Sequence, residues 1–337
     1  MTTFNLGRRR ATRALLASVA TLPFGLRAAR AQKLDKFIYQ TGWRAQAEHG
    51  GFYQALGAGI YKAHGLDVEI RQGGPQLDAN TLLLAGRVDF IEGNTFGSIN
   101  YARENLPGLA LAAFFQKDMR VLLSHPGVGN DSLPALKGKP ILIATAGRQS
   151  YWQWLKAKYG YAEEQARPYT FNMAPFLADK NISQQGFLTS EPFALRQAGV
   201  DPVIHLLADH GFDNYQGLLM CLSKLPEEKP DAVQRFVDAT IKGWASYLDG
   251  DPAPANALIK RDNPDMSDDK IAYAIEVMRK SGLVASGDAV RLGLGAMTKE
   301  RWHSFYNDMV AVNALPAGLD IDKLFTLKFV NKRVGLT

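Results

Sequence analysis

KFIYQTGWRAQAEHGGFYQALGAGIYKAHGLDVEIR, residues 36–71, holds the fold in miniature. The run 36–40 is short and apolar, 51–64 carries apolar residues at helical spacing, and 66–71 sets Leu66, Val68 and Ile70 between charged residues. Strand, helix and strand in that order argue for parallel strands joined by a helical crossover. Outward from it, the pattern predicts a helix over 76–86, a strand over 88–92 and a helix after Asn94. The rhythm resumes past Met119 with strands at 120–124, 141–145, 186–189 and 203–207, and helices over 150–159 and 192–198. From Pro230 the character changes, because Val233, Phe236, Val237, Ile241, Trp244 and Leu248 fall on one helical face and Pro230 suits a first turn. Helices over 253–260, 267–281 and 298–312 follow, then an extended tail at 327–330. Two α/β lobes are expected: 32–116 with 215–337, and 117–214. Passages near 115–118 and 209–216 would be the hinge.

The first 31 residues hold six arginines (Arg8, Arg9, Arg10, Arg13, Arg27 and Arg30) and no acid, around a mildly apolar run over 14–26. Ala29-Arg30-Ala31 supplies a small-x-small cleavage site, so the segment is expected to be an export signal cut after Ala31. The triple arginine resembles a twin-arginine signal, with Thr12 and Arg13 where an apolar pair is usual. About 20 apolar residues are needed to span a bilayer, more than this run provides. With no cysteine near the cut, a soluble periplasmic product is expected. Removing the segment takes the formal charge of the 337-residue chain from +6 to 6 − 6 = 0. A neutral mature chain argues against nucleic acid or an anionic membrane as partner. The single cysteine, Cys221, excludes an internal disulfide and sits in the apolar run 218–222, where a buried strand residue is expected.

In open α/β sheets, ligands sit beyond the carboxyl ends of strands, where helix N-termini offer unpaired N–H groups. Four turns fit: Thr41-Gly42-Trp43 through His49-Gly50-Gly51-Phe52-Tyr53, then Glu92-Gly93-Asn94-Thr95, then the stretch from Thr145 through Gly147, Arg148 and Ser150 to Tyr151, then Thr189-Ser190-Glu191-Pro192. Trp43 is either a packing aromatic or a platform for a flat ligand. His49 either caps a helix or touches ligand. Arg148 is either solvated or a fixed cation for a carboxylate, sulfonate or phosphate. Glu191, before a proline, either accepts from ligand amines or caps. Tyr215 and Gln216 gain interest from the second passage. No G-x-S-x-G, Walker loop, H-E-x-x-H or C-x-x-C occurs, Gly57-Ala58-Gly59 reads as packing, and His205, Asp209 and His210, the nearest approach to a metal cluster, straddle a strand end and the second passage, which argues against a metal. No catalytic residue, cofactor or metal is expected.

Gly42-Trp43, the stretch from His49 to Ala55, Gly59-Ile60-Tyr61, the stretch from Gly65 to Ile70 and that from Gly86 to Phe90 resemble the first lobe of the solute-binding proteins of ABC importers. The resembling group holds nitrate, sulfonate and taurine binders, together with binders similar to the thiamine-pyrimidine synthase of fungi. Leu136-Lys137-Gly138-Lys139, Glu191-Pro192, Arg235-Phe236, Gly243-Trp244 and the stretch from Phe329 to Lys332 extend the resemblance over nearly all of the mature chain. It implies a type II periplasmic-binding-protein fold, a monomer whose two lobes close on a small molecule and deliver it to a membrane permease. Carried over, Trp43, His49, Gly51 and Tyr53 match the pocket stretch of pyrimidine binders, and Asn94, Thr95, Gly147 and Glu191 the general cleft loops. Phe52, Arg148, Ser150 and Tyr215 complete the candidate ligand-binding set. A thiamine-precursor pyrimidine or similar nitrogen heterocycle is the expected ligand, with a sulfonate, taurine or nitrate as the rival. The fungal synthase consumes its own histidine and needs an iron-dependent cysteine cluster; His49 matches the histidine stretch, but one cysteine cannot form the cluster.

Overall fold

Among the described residues, ten strands build two five-stranded sheets. In the first, β1 (Asp35–Gln40) lies between and parallel to β2 (Leu66–Arg71) and β3 (Phe90–Asn94), and β10 (Gln216–Leu222) runs antiparallel between β3 and β4 (Gly108–Phe115). In the second, β6 (Ile141–Ile143) pairs in parallel with β7 (Ala166–Pro168) and β8 (Ser183–Phe187), while β5 (Arg120–Ser124) runs antiparallel between β8 and β9 (Val203–Leu206). The computed structural model describes residues 33–74 and 77–335. The expected export segment lies outside them, as does Gln76 at the start of an expected helix. The described residues from 34 onward form one compact unit. No helix among the described residues is long and apolar enough to cross a membrane.

Both sheets are mixed, where strand–helix alternation predicts parallel strands throughout. Each of the reversed strands, β5 and β10, is the first after a passage from one sheet to the other, so no helical crossover sets its direction. Cys221 is buried in β10. The expected helix over 51–64 divides into Gly50–Gly57 and Ile60–Ala63, because Gly59 adopts φ +71° between them. The expected extended tail at 327–330 is instead a turn that ends in buried Phe329 and Val330, followed by Asn331 at φ +63°.

The helix Pro230–Asp249 returns to the first sheet along the face its periodicity marks. Phe236 stacks on Phe90 at 4.2 Å between centroids, and Trp244 on Phe114 at 6.0 Å. The polypeptide crosses between sheets twice, after β4 and after β9. A buried carboxylate joins the two crossings, Asp118 Oδ2 accepting from Asn214 Nδ2 at 2.6 Å and from the Arg120 guanidinium, and an exposed pair, Lys117 with Asp209 at 3.1 Å, joins them again.

Candidate functional site

Three adjoining cavities of ≈ 300, ≈ 210 and ≈ 220 Å³ are lined by residues from both sheets, and all three share Trp43 and Gln46. Trp43 leaves β1 in a loop pinned to the strand neighbouring it, since its carbonyl accepts from Gly73 N at 2.8 Å and from Thr41 Oγ1 at 2.5 Å. Its indole meets Phe171, from the segment after β7, at 5.1 Å between centroids. Phe171 is 54% exposed and holds φ +60°, which is a rare conformation for a bulky side chain and marks local strain.

Of the sequence-derived candidates, Trp43, His49, Asn94, Gly147, Ser150 and Glu191 line these cavities. Asn94 also caps the helix Thr95–Arg103, accepting from Gly97 N at 2.9 Å. Gln216 also lines the ≈ 210 Å³ cavity, whereas Gly51, Phe52, Tyr53, Thr95, Arg148 and Tyr215 line none of the three. Gly51 and Phe52 belong to the core: a Cβ on Gly51 would lie 2.2 Å from Trp244, and Phe52 stacks on Tyr39 at 4.0 Å. Tyr53 is fully buried with its hydroxyl donating to Asp262 at 3.0 Å. Thr95 and Tyr215 bond each other, Thr95 N to the Tyr215 carbonyl at 3.0 Å, and the Tyr215 hydroxyl donates to Asp288 at 2.8 Å. Arg148 turns its guanidinium to the Ala166 carbonyl. These residues beside the cleft turns are held by packing, by a carboxylate or by a backbone partner instead of lining the cavities.

Glu48 and Arg120, which the sequence did not single out, supply the electrostatics together with Glu191 and Glu92 from the candidate turns. Glu48, 5% exposed, bridges the sheets by accepting from the Thr189 hydroxyl. Burial raises its pKa above the ordinary glutamate value, against that hydrogen bond. Burial likewise raises Glu191, whose carboxylate accepts from Phe187 N at 2.7 Å and from the Ser190 hydroxyl. Glu92 differs. Burial alone would raise it, but His49 Nε2 at 3.1 Å and Gly42 N at 3.1 Å, with Arg120 nearby, bring it below the ordinary 4.5. Arg120, which lines the ≈ 220 Å³ cavity, is held by buried Asp118 and lies over the Tyr151 and Phe187 rings. Among the described residues no group of three His, Cys, Asp or Glu side chains is placed to hold a metal ion.

The Glu92–His49 pair gives a pH-dependent prediction. A depressed carboxyl contributes stability that is present above its unfolded value and lost as pH falls through the folded value. Glu92→Gln is therefore expected to lower stability at neutral pH and to flatten its decline in acid, measured by urea unfolding across the acid range. A decline as steep as that of the unaltered chain would overturn the pairing.

A family model described as NMT1/THI5 like matches residues 46–255. No curated protein matches the chain in sequence. The periplasmic aliphatic sulphonate binding protein SsuA from Escherichia coli superposes with a TM-score of 0.66 at 11% identity, over 86% of this chain and 91% of that one. A ligand-binding component of an ABC-type import system from Staphylococcus aureus, solved with zinc bound, gives 0.61 at 13% identity, over 88% and 98%. The desulfurization enzyme DszB gives 0.58 at 13%, over 86% and 95%. The architecture is therefore the α/β periplasmic-binding-protein type, a scaffold that carries both receptors and an enzyme in these relatives.

Proposed function

The chain belongs to the NMT1/THI5-like family, and from that premise we propose that it is the substrate-binding component of an ABC importer. In this reading the export segment is removed after Ala31, the mature protein acts in the periplasm, and the two passages between sheets form the hinge of two lobes. Ligand favours a closed state already accessible to the protein, and the closed form docks on a membrane permease. The ligand is a planar nitrogen heterocycle of the thiamine-precursor pyrimidine type.

The observation that supports this choice is the balance of charge around Trp43. Glu48, Glu92 and Glu191 line the cavities, while Arg120, the one arginine on their walls among the described residues, is already paired with Asp118, and Lys270 is exposed and bonded to the Asp265 carbonyl. Carboxylates accept from ring and amino N–H groups and repel a sulfonate or nitrate. Arg148, the cation that would favour an anion, bonds a carbonyl outside these cavities. Capture without chemistry is part of the proposal: Cys221, the sole cysteine, is buried in β10, so the cysteine cluster of a self-consuming synthase cannot form.

A thermal-shift screen of pyrimidines, sulfonates and nitrate tests the reading. Ligand at 100 times its dissociation constant adds about 2.7 kcal/mol of stability. A shift with sulfonates and none with heterocycles would overturn the substrate choice. Trp43→Ala is expected to weaken binding of the active heterocycle by about tenfold, from lost stacking and lost contact area. Unchanged affinity in isothermal titration would remove Trp43 from the site.

A further inference from the structure

The ≈ 300 Å³ cavity combines two features whose conjunction is more specific than the heterocycle reading needs. Trp43, Tyr169, Phe171 and Phe193 supply four aromatic rings to its wall, and Glu48 and Glu191 supply two interior carboxylates, apart from exposed Asp265, which pairs with Arg44 at 3.5 Å. Neither carboxylate has a cation in contact among the described residues. Glu48 accepts from a hydroxyl and borders His49, whose Nε2 is engaged by Glu92; Glu191 accepts from a hydroxyl and a backbone N–H. The lysine at the rim, Lys270, is exposed and donates to the Asp265 carbonyl at 3.0 Å.

A buried carboxylate without a positive partner is costly, and burial raises the pKa of both of these. Aromatic faces attract cations through their negative quadrupole, and most strongly where water is excluded. The two features are complementary to one kind of guest: the rings take a delocalised or alkylated positive charge face-on, and the carboxylates accept its N–H groups or balance its charge. A neutral heterocycle would stack on the rings and donate N–H groups to the carboxylates but leave their charge unbalanced, and an anion would be repelled by both.

Building on the reading of this cleft as a ligand site, we propose that the cavity between Trp43, Phe171, Glu48 and Glu191 is selective for an organic cation, an amidinium or ammonium borne on a planar or apolar framework.

Three probes that share one ring and differ in charge test this on the full chain: benzamidinium, benzamide and benzenesulfonate. Isothermal titration is expected to show benzamidinium bound at least about tenfold more tightly than benzamide, and benzenesulfonate more weakly still. Glu48→Gln and Glu191→Gln are each expected to bring benzamidinium toward benzamide while leaving benzamide unchanged. Because Glu48 is buried, Glu191→Gln, at a partly exposed carboxylate, keeps the test open should the first variant fail to fold. Equal affinity for benzamidinium and benzamide, or a preference that survives both substitutions, overturns the cation assignment and leaves the receptor reading standing. No binding of any probe overturns the cation assignment too, with the heterocycle screen remaining the separate test of the receptor. Tightest binding of benzenesulfonate overturns the assignment together with the heterocycle choice.

Discussion

Gly51→Ala is expected to destabilise the fold by about 3 kcal/mol, at the upper end of what overpacking a core costs. The added Cβ would stand 2.2 Å from the Trp244 ring, and the facing glycine is as confined: a Cβ on Gly243 would lie 2.2 Å from the Gly51 carbonyl oxygen. One position earlier, a Cβ on Gly50 would fall 1.9 Å from Tyr247. The helices Gly50–Gly57 and Pro230–Asp249 therefore cross with backbone against backbone, and three glycines leave room for two large rings. Trp244 and Tyr247 are both fully buried, so neither can swing into solvent to relieve the clash. Gly243→Ala should cost a similar amount, because the obstruction there is backbone rather than a side-chain tip. Urea unfolding of the two variants measures this. A loss under about 1 kcal/mol in both would show that the helices separate easily and that the glycines do not govern the crossing.

That crossing also explains why Gly51, Phe52 and Tyr53 were misleading in the sequence. A glycine pair followed by two aromatics beside a cleft turn has the composition of a ligand loop, and the family resemblance points the same way. At helical spacing, however, Phe52 and Tyr53 face inward, toward Tyr39 and Asp262, and only the residues just before the helix reach the cavity. Strand and helix positions were legible because periodicity is local: 66–71 and 120–124 match the observed strands residue for residue. Strand direction was not, since nothing in the composition of 120–124 or 218–222 distinguishes a parallel from an antiparallel neighbour. The missed site residues follow the same logic. Glu48, Arg120 and Phe171 acquire their surroundings from partners 141, 96 and 128 positions away, namely Thr189, Gln216 and Trp43. Glu92 and Thr189 do stand in turns that the sequence marks as candidates, by glycine, asparagine or proline, without being singled out there as ligand residues.

Asp118→Ala is expected to cost about 3–5 kcal/mol, the loss associated with stranding one partner of a buried ion pair. Its side chain is fully buried, and three donors converge on it: Arg120 N at 2.9 Å, the Arg120 guanidinium, and Asn214 Nδ2 at 2.6 Å. Asn214 in turn accepts from Phe96 N at 3.1 Å, at the start of the helix Thr95–Arg103. The carboxylate thus ties both passages between the sheets to each other and to the first sheet, so its removal loosens the segments proposed as the hinge. It also frees Arg120, whose other side-chain acceptor is Gln216 at 3.2 Å. If the cost comes from stranding that guanidinium, Arg120→Ala in the Asp118→Ala background should recover part of it, giving a coupling energy above about 1 kcal/mol in a double-mutant cycle. Additive losses would mean that Asp118 works through Asn214 and the backbone alone. The freed arginine has a second consequence at the ≈ 220 Å³ cavity it lines: Asp118→Ala should bind benzenesulfonate more tightly than the unaltered chain does. If affinity for the sulfonate stays the same, Arg120 is not what Asp118 restrains, and the exclusion of anions must rest on Glu48, Glu92 and Glu191 alone.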